Sequence, residues 1–347
     1  MTTTAEIKAT WAPLLLADPS PALRWLVMRH LLGRLENDPE LRELVGLRDL
    51  DPLLVELLSQ QSADGSWRRP GRGAAIQATS QALLRLGYLG YGLEHEGVNR
   101  GAGYLYANQH DDGSWPLGSD EESSDRYSNY SMIPLQTSMP LRALAAIGMA
   151  EDPRSERAYG WLLDNRLPDG AWPSGMASGN FAGVAGYRRI PHSRWGCRTN
   201  TTAALICLAL HPSRRRSAEA KRALDLLLGR ENLDRQAFGF EVARVLGVEP
   251  ARGLFTYFAR FDAALFLDLC WRVGGSLEDV RISNLVEFAR NEQGPYGLWE
   301  YRPRPHASRW ITFDVLRSLS NLDESSDWIT LEPRTPFQPY PARERRF

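Results

Sequence analysis

The sequence is poor in cysteine: Cys197, Cys207 and Cys270 are all it holds, too few for a disulfide framework and suited to a reducing compartment. It has no apolar run of the ~18 residues that a membrane-spanning helix needs. It has almost no net charge, with Lys+Arg 41 against Asp+Glu 42, so bulk electrostatics points to no nucleic acid and no anionic membrane. Peripheral membrane contact stays open. Convincing alternating strands and Asn-Gly hairpin turns are missing as well. Met1 to Thr10 offers neither a basic start nor an apolar stretch before a small-residue cleavage site, so a signal peptide is not expected. What remains is a cytoplasmic, helical protein of ordinary globular composition, 43% hydrophobic and 24% charged over 347 residues.

Tryptophan, by contrast, is abundant, with 11 in the chain. Much of it sits in one repeated phrase. Asp64-Gly65-Ser66-Trp67 returns as Asp112-Gly113-Ser114-Trp115, then as Asp169-Gly170-Ala171-Trp172, and in Gly297-Leu298-Trp299. An eroded copy is expected at Phe238-Gly239-Phe240. Self-similarity at spacings of 48, 57, 68 and 59 residues, counted through Phe240, implies stacked supersecondary units, none able to bury its apolar face alone. Glycine supplies a backbone geometry that other residues reach only with strain, and aspartate caps the turn. The tryptophan then lies against a helix end, with Gln60, Gln109, Asn165 or Gln293 within reach of backbone groups. The phrase is read as a staple between repeats.

Between these turns the chain reads as helices throughout. Asp18-Pro19-Ser20-Pro21 starts an early one, and Leu50 to Leu58 forms another. Each unit then sets an Ala- and Leu-rich helix after the turn: 74–87, 135–148, 200–210, 261–273 and 310–319. Charged, amphipathic helices alternate with them at 98–108, 155–165, 217–228 and 277–291. One helix of each pair is inner, the other outer. The expectation is a single domain over 1–331, followed by an extended tail over 332–347 that is rich in proline.

Here the chain resembles the terpenoid cyclase and protein prenyltransferase superfamily, and in particular the Gln-x-x-Asp-Gly-Ser-Trp repeat of squalene and hopene cyclases. Gln61-Ser62-Ala63-Asp64-Gly65-Ser66-Trp67 and Gln109-His110-Asp111-Asp112-Gly113-Ser114-Trp115 carry the likeness. It covers roughly residues 50 to 320. The resemblance implies an all-α fold, an α/α toroid of about five or six helical hairpins, with an apolar, aromatic-lined central cavity. It also implies an enzyme that handles an isoprenoid, either a prenyl diphosphate or a polyprene. Fold alone does not fix chemistry, and this chain departs from the family pattern. The Asp-x-Asp-Asp acid motif of class II cyclases is missing; Asp120-Glu121-Glu122-Ser123-Ser124-Asp125 reads as a solvated loop. An aspartate-rich class I pair is missing too, which leaves magnesium no evident site.

The residues that open the last three inner helices suggest a binding site. Arg194-Trp195, Arg260-Phe261 and Arg309-Trp310 recur in register, joined by Arg198 and Tyr257. Helix N-termini favour anions, arginine adds a fork of donors, and rings offer π faces. If the inner helices are parallel, these groups gather at one rim and take an anionic head. The alternative is that each arginine pairs with an acid of the next repeat and each ring is core. Tyr127 and Tyr130 would line the mouth, and Asp262 or Asp314 would be the acid if protonated in an apolar lumen. Prenyltransferases in the family hold zinc, and Cys197, His192, Asp262 and His306 are suitable ligand types, although the family's Asp-x-Cys is absent. The cofactor expectation is therefore none, with zinc or magnesium as alternatives. A non-catalytic toroid that binds a lipid or a protein partner, and a zinc-dependent prenyltransferase-like enzyme, are the competing readings. No motif speaks to oligomeric state.

Overall fold

A computed structural model describes residues 12–67, 74–115, 133–174, 188–229, 237–249, 258, 260–294 and 296–322. The described residues form fourteen α-helices and, in place of strands, a few isolated β-bridges. Prolines start several of them. Asp38, Asp51 and Asp152 cap helices α3 (Pro39–Arg48), α4 (Pro52–Ser59) and α8 (Pro153–Asp164), each with proline in the first turn. Ser20 does the same for α2 (Pro21–His30).

The inner helices are α5 (Ala74–Tyr88), α7 (Pro134–Ala146), α9 (Arg198–Leu210), α12 (Ala263–Val273) and α14 (Ser308–Leu322). They pack in that order, each against the next. Outer helices α6 (Glu96–Ala107), α8, α10 (Ala218–Leu228) and α13 (Val280–Glu292) lie on α5, α7, α9 and α12 respectively. Helix α2 closes the seam. It packs on α14, and the Trp25 ring lies against Gly90 just beyond α5. Short α1 (Ala12–Leu16) also touches α14, and Arg309 of α14 pairs with Asp18 at 3.1 Å. The result is an α/α toroid whose two ends meet.

The repeated turn joins three elements by one pattern of bonds. Each tryptophan indole N–H donates to a carbonyl ten residues earlier, on the last turns of the preceding outer helix. The acceptors are Leu57, Leu105, Leu162 and Ala289, all at 2.7 Å. The backbone N–H of the same tryptophan donates to a threonine hydroxyl on the following inner helix: Thr79, Thr137, Thr201 or Thr312. Trp115, Trp172 and Trp299 are among the largest fully buried side chains. A Gln side chain then clamps the turn: Gln61, Gln109 and Gln293 each donate at 3.0 Å to the carbonyl of the turn glycine. Gln61 and Gln109 also reach the next outer helix, at Gly97 and Arg154. In the first copy the clamp is therefore Gln61, one residue along from the expected Gln60.

Glycine is required at these turns for two reasons. Gly65, Gly113 and Gly170 have φ of 87°, 93° and 99°, a region costly for any other residue. Each also abuts the next outer helix, beside Arg100, Arg157 and Arg222. The copy at Phe238-Gly239-Phe240 departs from this scheme. Gly239 keeps a φ of 76°, but it begins a short helix, α11 (Phe240–Val245), that enters the ring. Helix α11 touches α5, α12 and α14, and Arg85 of α5 donates at 2.9 Å to the Val245 carbonyl. The period alone gave no sign of this insertion. The expected tail over 332–347 lies outside the described residues.

Two glycines one helix apart test the turn. Gly113→Ala would force a left-handed φ on alanine and place its Cβ 2.5 Å from the Arg157 carbonyl carbon. It should lower unfolding stability by about 2 kcal/mol or more. Gly103→Ala meets nothing within 4 Å in mid-helix α6 and should raise stability by about 0.5–1 kcal/mol. Urea unfolding of the two variants checks both signs.

Candidate functional site

The run Ala263–Val273 is apolar except at Asp268, Trp271 and Arg272, and α14 carries Asp314 and Arg317 among buried residues. Spacings of four and three put each acid–base pair on one helix face. Both faces look into the ring, where they meet Arg142 of α7 and Glu241 of α11. A cavity of about 360 Å³ lies between them, walled by Leu84, Ile206, Leu265 and Leu269 and by Trp25 and His30 of α2.

Two ion-pair chains cross this space. Glu241 lies between Arg142 and Arg244, bonded to both. Asp268 accepts from Arg272 Nε at 2.7 Å, and Arg317 Nη2 lies 3.4 Å from Asp268 while bonding Asp314. Burial pushes the carboxyls of Glu241 and Asp268 up, but the guanidiniums beside them outweigh it and hold both below the usual range. Asp314 goes the other way: burial dominates, Arg317 offsets it only in part, and the pKa is raised. Two carboxyls sharing one arginine are thus driven apart, one ionised and one inclined to hold its proton. Beside them, the buried Tyr88 hydroxyl and Arg317 Nε have no hydrogen-bond partner among the described residues. His30 is brought down to about 4 by burial and by Arg317, Arg29 and Arg272.

The residues expected from sequence scatter. Asp314 lines the cavity. Asp262 instead joins α11 to α12: it accepts from the N–H groups of Gly239 at 2.9 Å, Glu241 at 2.6 Å and Ala264 at 3.2 Å. Each of the three arginines has a partner of its own. Arg194 is exposed and lies over the Trp195 ring at 5.1 Å, Arg309 pairs with Asp18, and Arg260 is exposed over Phe240 at 5.5 Å. They sit at the starts of the inner helices, whereas the cavity is lined mainly by the later turns of the same helices. Arg198 is partly buried, and its backbone N–H bonds the Arg188 carbonyl. Phe261 stacks on Phe266 at 3.9 Å, and Trp310 packs near Tyr88 at 6.0 Å; both are core. Tyr127, Tyr130 and Tyr257 lie outside the described residues.

The suggested zinc ligands are not brought together. Cys197 is buried at the start of α9, its N–H bonded to the Trp172 carbonyl, while His192 and His306 are exposed. Asp262 is occupied by its three backbone donors. Among the described residues, no three of His, Cys, Asp and Glu gather to hold a metal ion. Nor is the cavity lined by aromatics as expected. Its rings are Trp25, His30 and Tyr88, and charge and aliphatic carbon make up the rest.

Sequence reasoning missed Arg142, Glu241, Arg244, Asp268, Arg272 and Arg317. A signal existed: a lone Asp268 in an otherwise apolar helical run is a buried polar group that needs a reason. A second, more open space of about 700 Å³ lies outside α11, lined by Phe240, Arg260, Tyr301 and Arg302 among others. Helix α11 therefore separates two spaces, with Phe240 facing one and Glu241, Val242 and Val245 the other.

Residues 45–188 match the family model of the squalene-hopene cyclase C-terminal domain. Over 142 residues the chain is 28% identical to a squalene–hopene cyclase of Zymomonas mobilis. That match covers 40% of this chain and 21% of the relative, so the chain spans about a fifth of its length. Among solved structures, a type II terpene cyclase from Scytonema is 17% identical, with 80% of this chain and 73% of that one covered and a TM-score of 0.49. A variant of that enzyme, with its substrate geranylgeranyl dihydroxybenzoate, gives 17% identity, coverages of 77% and 70%, and a TM-score of 0.46. No described helix is long and apolar enough to cross a membrane.

The cap at Asp262 makes stability depend on pH. Burial raises its pKa from 3.8 to about 6, against the pull of the Glu241 and Gly239 N–H groups. The folded state therefore binds more protons than the unfolded state between those values, and Asp262 stabilises the fold less as pH rises from about 4 to 6. Relative to Asp262→Asn, the wild type should lose on the order of 2 kcal/mol across that window. Urea unfolding of both proteins from pH 4 to 7 measures the difference.

Proposed function

We propose that this chain, which belongs to the terpenoid cyclase-like superfamily, is an enzyme that takes an isoprenoid into the cavity at the centre of its ring and moves a proton there with Asp314. The supporting observation is that a buried carboxyl, with its pKa raised by burial, lines a cavity among the inner helices. An acid in that place donates its proton to an alkene carbon: the O–H bond breaks, a C–H bond forms, and positive charge develops on the neighbouring carbon. The ionised Asp268 lies near enough to stabilise that charge, or to receive a proton at the end. At about 360 Å³ the space is at the lower end of ligand pockets, which run from about 300 to 1,000 Å³, and this favours a short prenyl chain over a long polyprene. Buried free cysteines at Cys197, Cys207 and Cys270 support placement in the cytoplasm. Prenyl transfer through zinc has no ligand set among the described residues to support it.

A second reading has its own support. The arginines that hold Asp268 and Glu241 ionised also restrain Asp314, as a binding protein without turnover would allow.

Incubating the purified protein with a panel of prenyl diphosphates and squalene, followed by mass spectrometry of extracts, separates the two. A cyclised or transferred product from the wild type, lost by about 100-fold or more in Asp314→Asn, is the expected result. Stabilisation by a ligand with no product would establish the binding role instead.

A further inference from the structure

One guanidinium at the centre of the ring serves two carboxyls. Arg317 Nη2 bonds Asp314 Oδ1, and the same nitrogen lies 3.4 Å from Asp268 Oδ1. Asp268 is also held from its other side. Its Oδ2 accepts from Arg272 Nε at 2.7 Å, and its Oδ1 accepts the Trp271 indole N–H at 3.2 Å. Among the described residues, Arg317 is the one cation in ion-pair contact with Asp314. Asp314, Arg317, Asp268 and Arg272 therefore form a row of alternating sign. Whatever draws Arg317 toward Asp268 loosens its hold on Asp314, and the negative charge of Asp268 acts on Asp314 in the same sense. The other groups that face Asp314 are engaged or neutral. Arg142 of α7 and Arg244 of α11 are both bonded to Glu241. Burial pushes the Tyr88 hydroxyl of α5 well up, and His30 of α2 is brought down to about 4, so neither changes charge near neutral pH.

We propose that Asp268 and Arg272 are positioning residues for the acid: through Arg317 they set how firmly Asp314 holds its proton. Asp268 withholds part of Arg317 and so keeps Asp314 protonated to higher pH. Arg272 occupies Asp268 and limits that withholding. The two residues are bonded to each other, yet they act on Asp314 with opposite sign. The inference rests on the reading of Asp314 as proton donor for the use of this row, but not for its electrostatics.

Carbon-13 NMR titration of the aspartate side-chain carboxyls reads the midpoint of Asp314, whose resonance is the one lost in Asp314→Asn. Asp268→Asn leaves Arg317 to Asp314 alone, and the midpoint should fall by about one pH unit or more, a tenfold loss of the protonated form above it. Arg272→Gln removes a nearby positive charge and frees Asp268 to draw on Arg317, so the midpoint should rise by about as much. Arg272→Lys keeps the charge and should titrate close to the wild type. Unmoved midpoints in Asp268→Asn and Arg272→Gln, or shifts of the same sign in both, overturn the inference. Each of these variants has its own expected sign, so if one fails to fold the other still decides. Where product forms, the alkaline limb of its pH–rate profile should follow the midpoints, to lower pH in Asp268→Asn and to higher pH in Arg272→Gln. Midpoints that move as expected, in a protein that makes no product from prenyl diphosphates or squalene, keep the row and overturn the enzyme reading. Product formation with unmoved midpoints does the reverse.

Discussion

The structure depends on one hydrogen bond made again and again: an indole N–H donated to a carbonyl ten residues earlier. Helix ends leave carbonyls unpaired, and burying them uncompensated would cost about 1–3 kcal/mol each. The tryptophan settles one such carbonyl and fills the gap between two helices with its ring. Its backbone N–H, bound to a threonine on the inner helix, fixes the direction of the chain beyond it. Glycine then lets the turn approach the next outer helix closely enough for glutamine to bridge to it. Four small requirements thus hold one repeat to the next, and the ring follows from repeating them.

Within that frame the centre is where the chain spends stability. Buried ion pairs cost several kcal/mol per ion to desolvate, and well-packed apolar residues often do as well or better. Arg142, Glu241, Arg244, Asp268, Arg272, Asp314 and Arg317 are therefore unusual occupants of a helical core. Helix α11 brings two of them in and is itself held at both ends, by Asp262 at its start and by Arg85 at its finish. Charge in the centre and apolar packing in the wall give the cavity a mixed lining of ion pairs and aliphatic carbon.

Much of the frame was legible in the sequence. Four copies of Gly-x-Trp in phase with helical runs give the paired helices, and the inner helices fall within about two residues of expectation at most of their ends. The staple was legible for the same reason, because glycine and tryptophan have few other uses at that spacing. The site was not. Arg-aromatic pairs stand out in sequence because they recur, yet their partners differ: Arg309 meets Asp18 from the far end of the chain, and no local pattern announces that. The central pairs that join different helices lie 49 and 99 residues apart, Arg317 with Asp268 and Arg142 with Glu241. Helix α11 was hidden for another reason: its turn kept the glycine but lost the tryptophan, and with it the staple.

The distance from tryptophan back to its carbonyl is fixed at ten residues in every copy, but the distance forward to its threonine is not. It is 12, 22, 29 and 13 residues in turn. Everything that varies is confined to the stretch between two anchored points, so a lengthened segment need not disturb the helices on either side. The architecture thus separates a chassis of fixed length from segments of variable length, each bounded by its tryptophan and by the inner helix that follows. New chemistry in those segments can be acquired by splicing in residues without re-solving how the ring stands up.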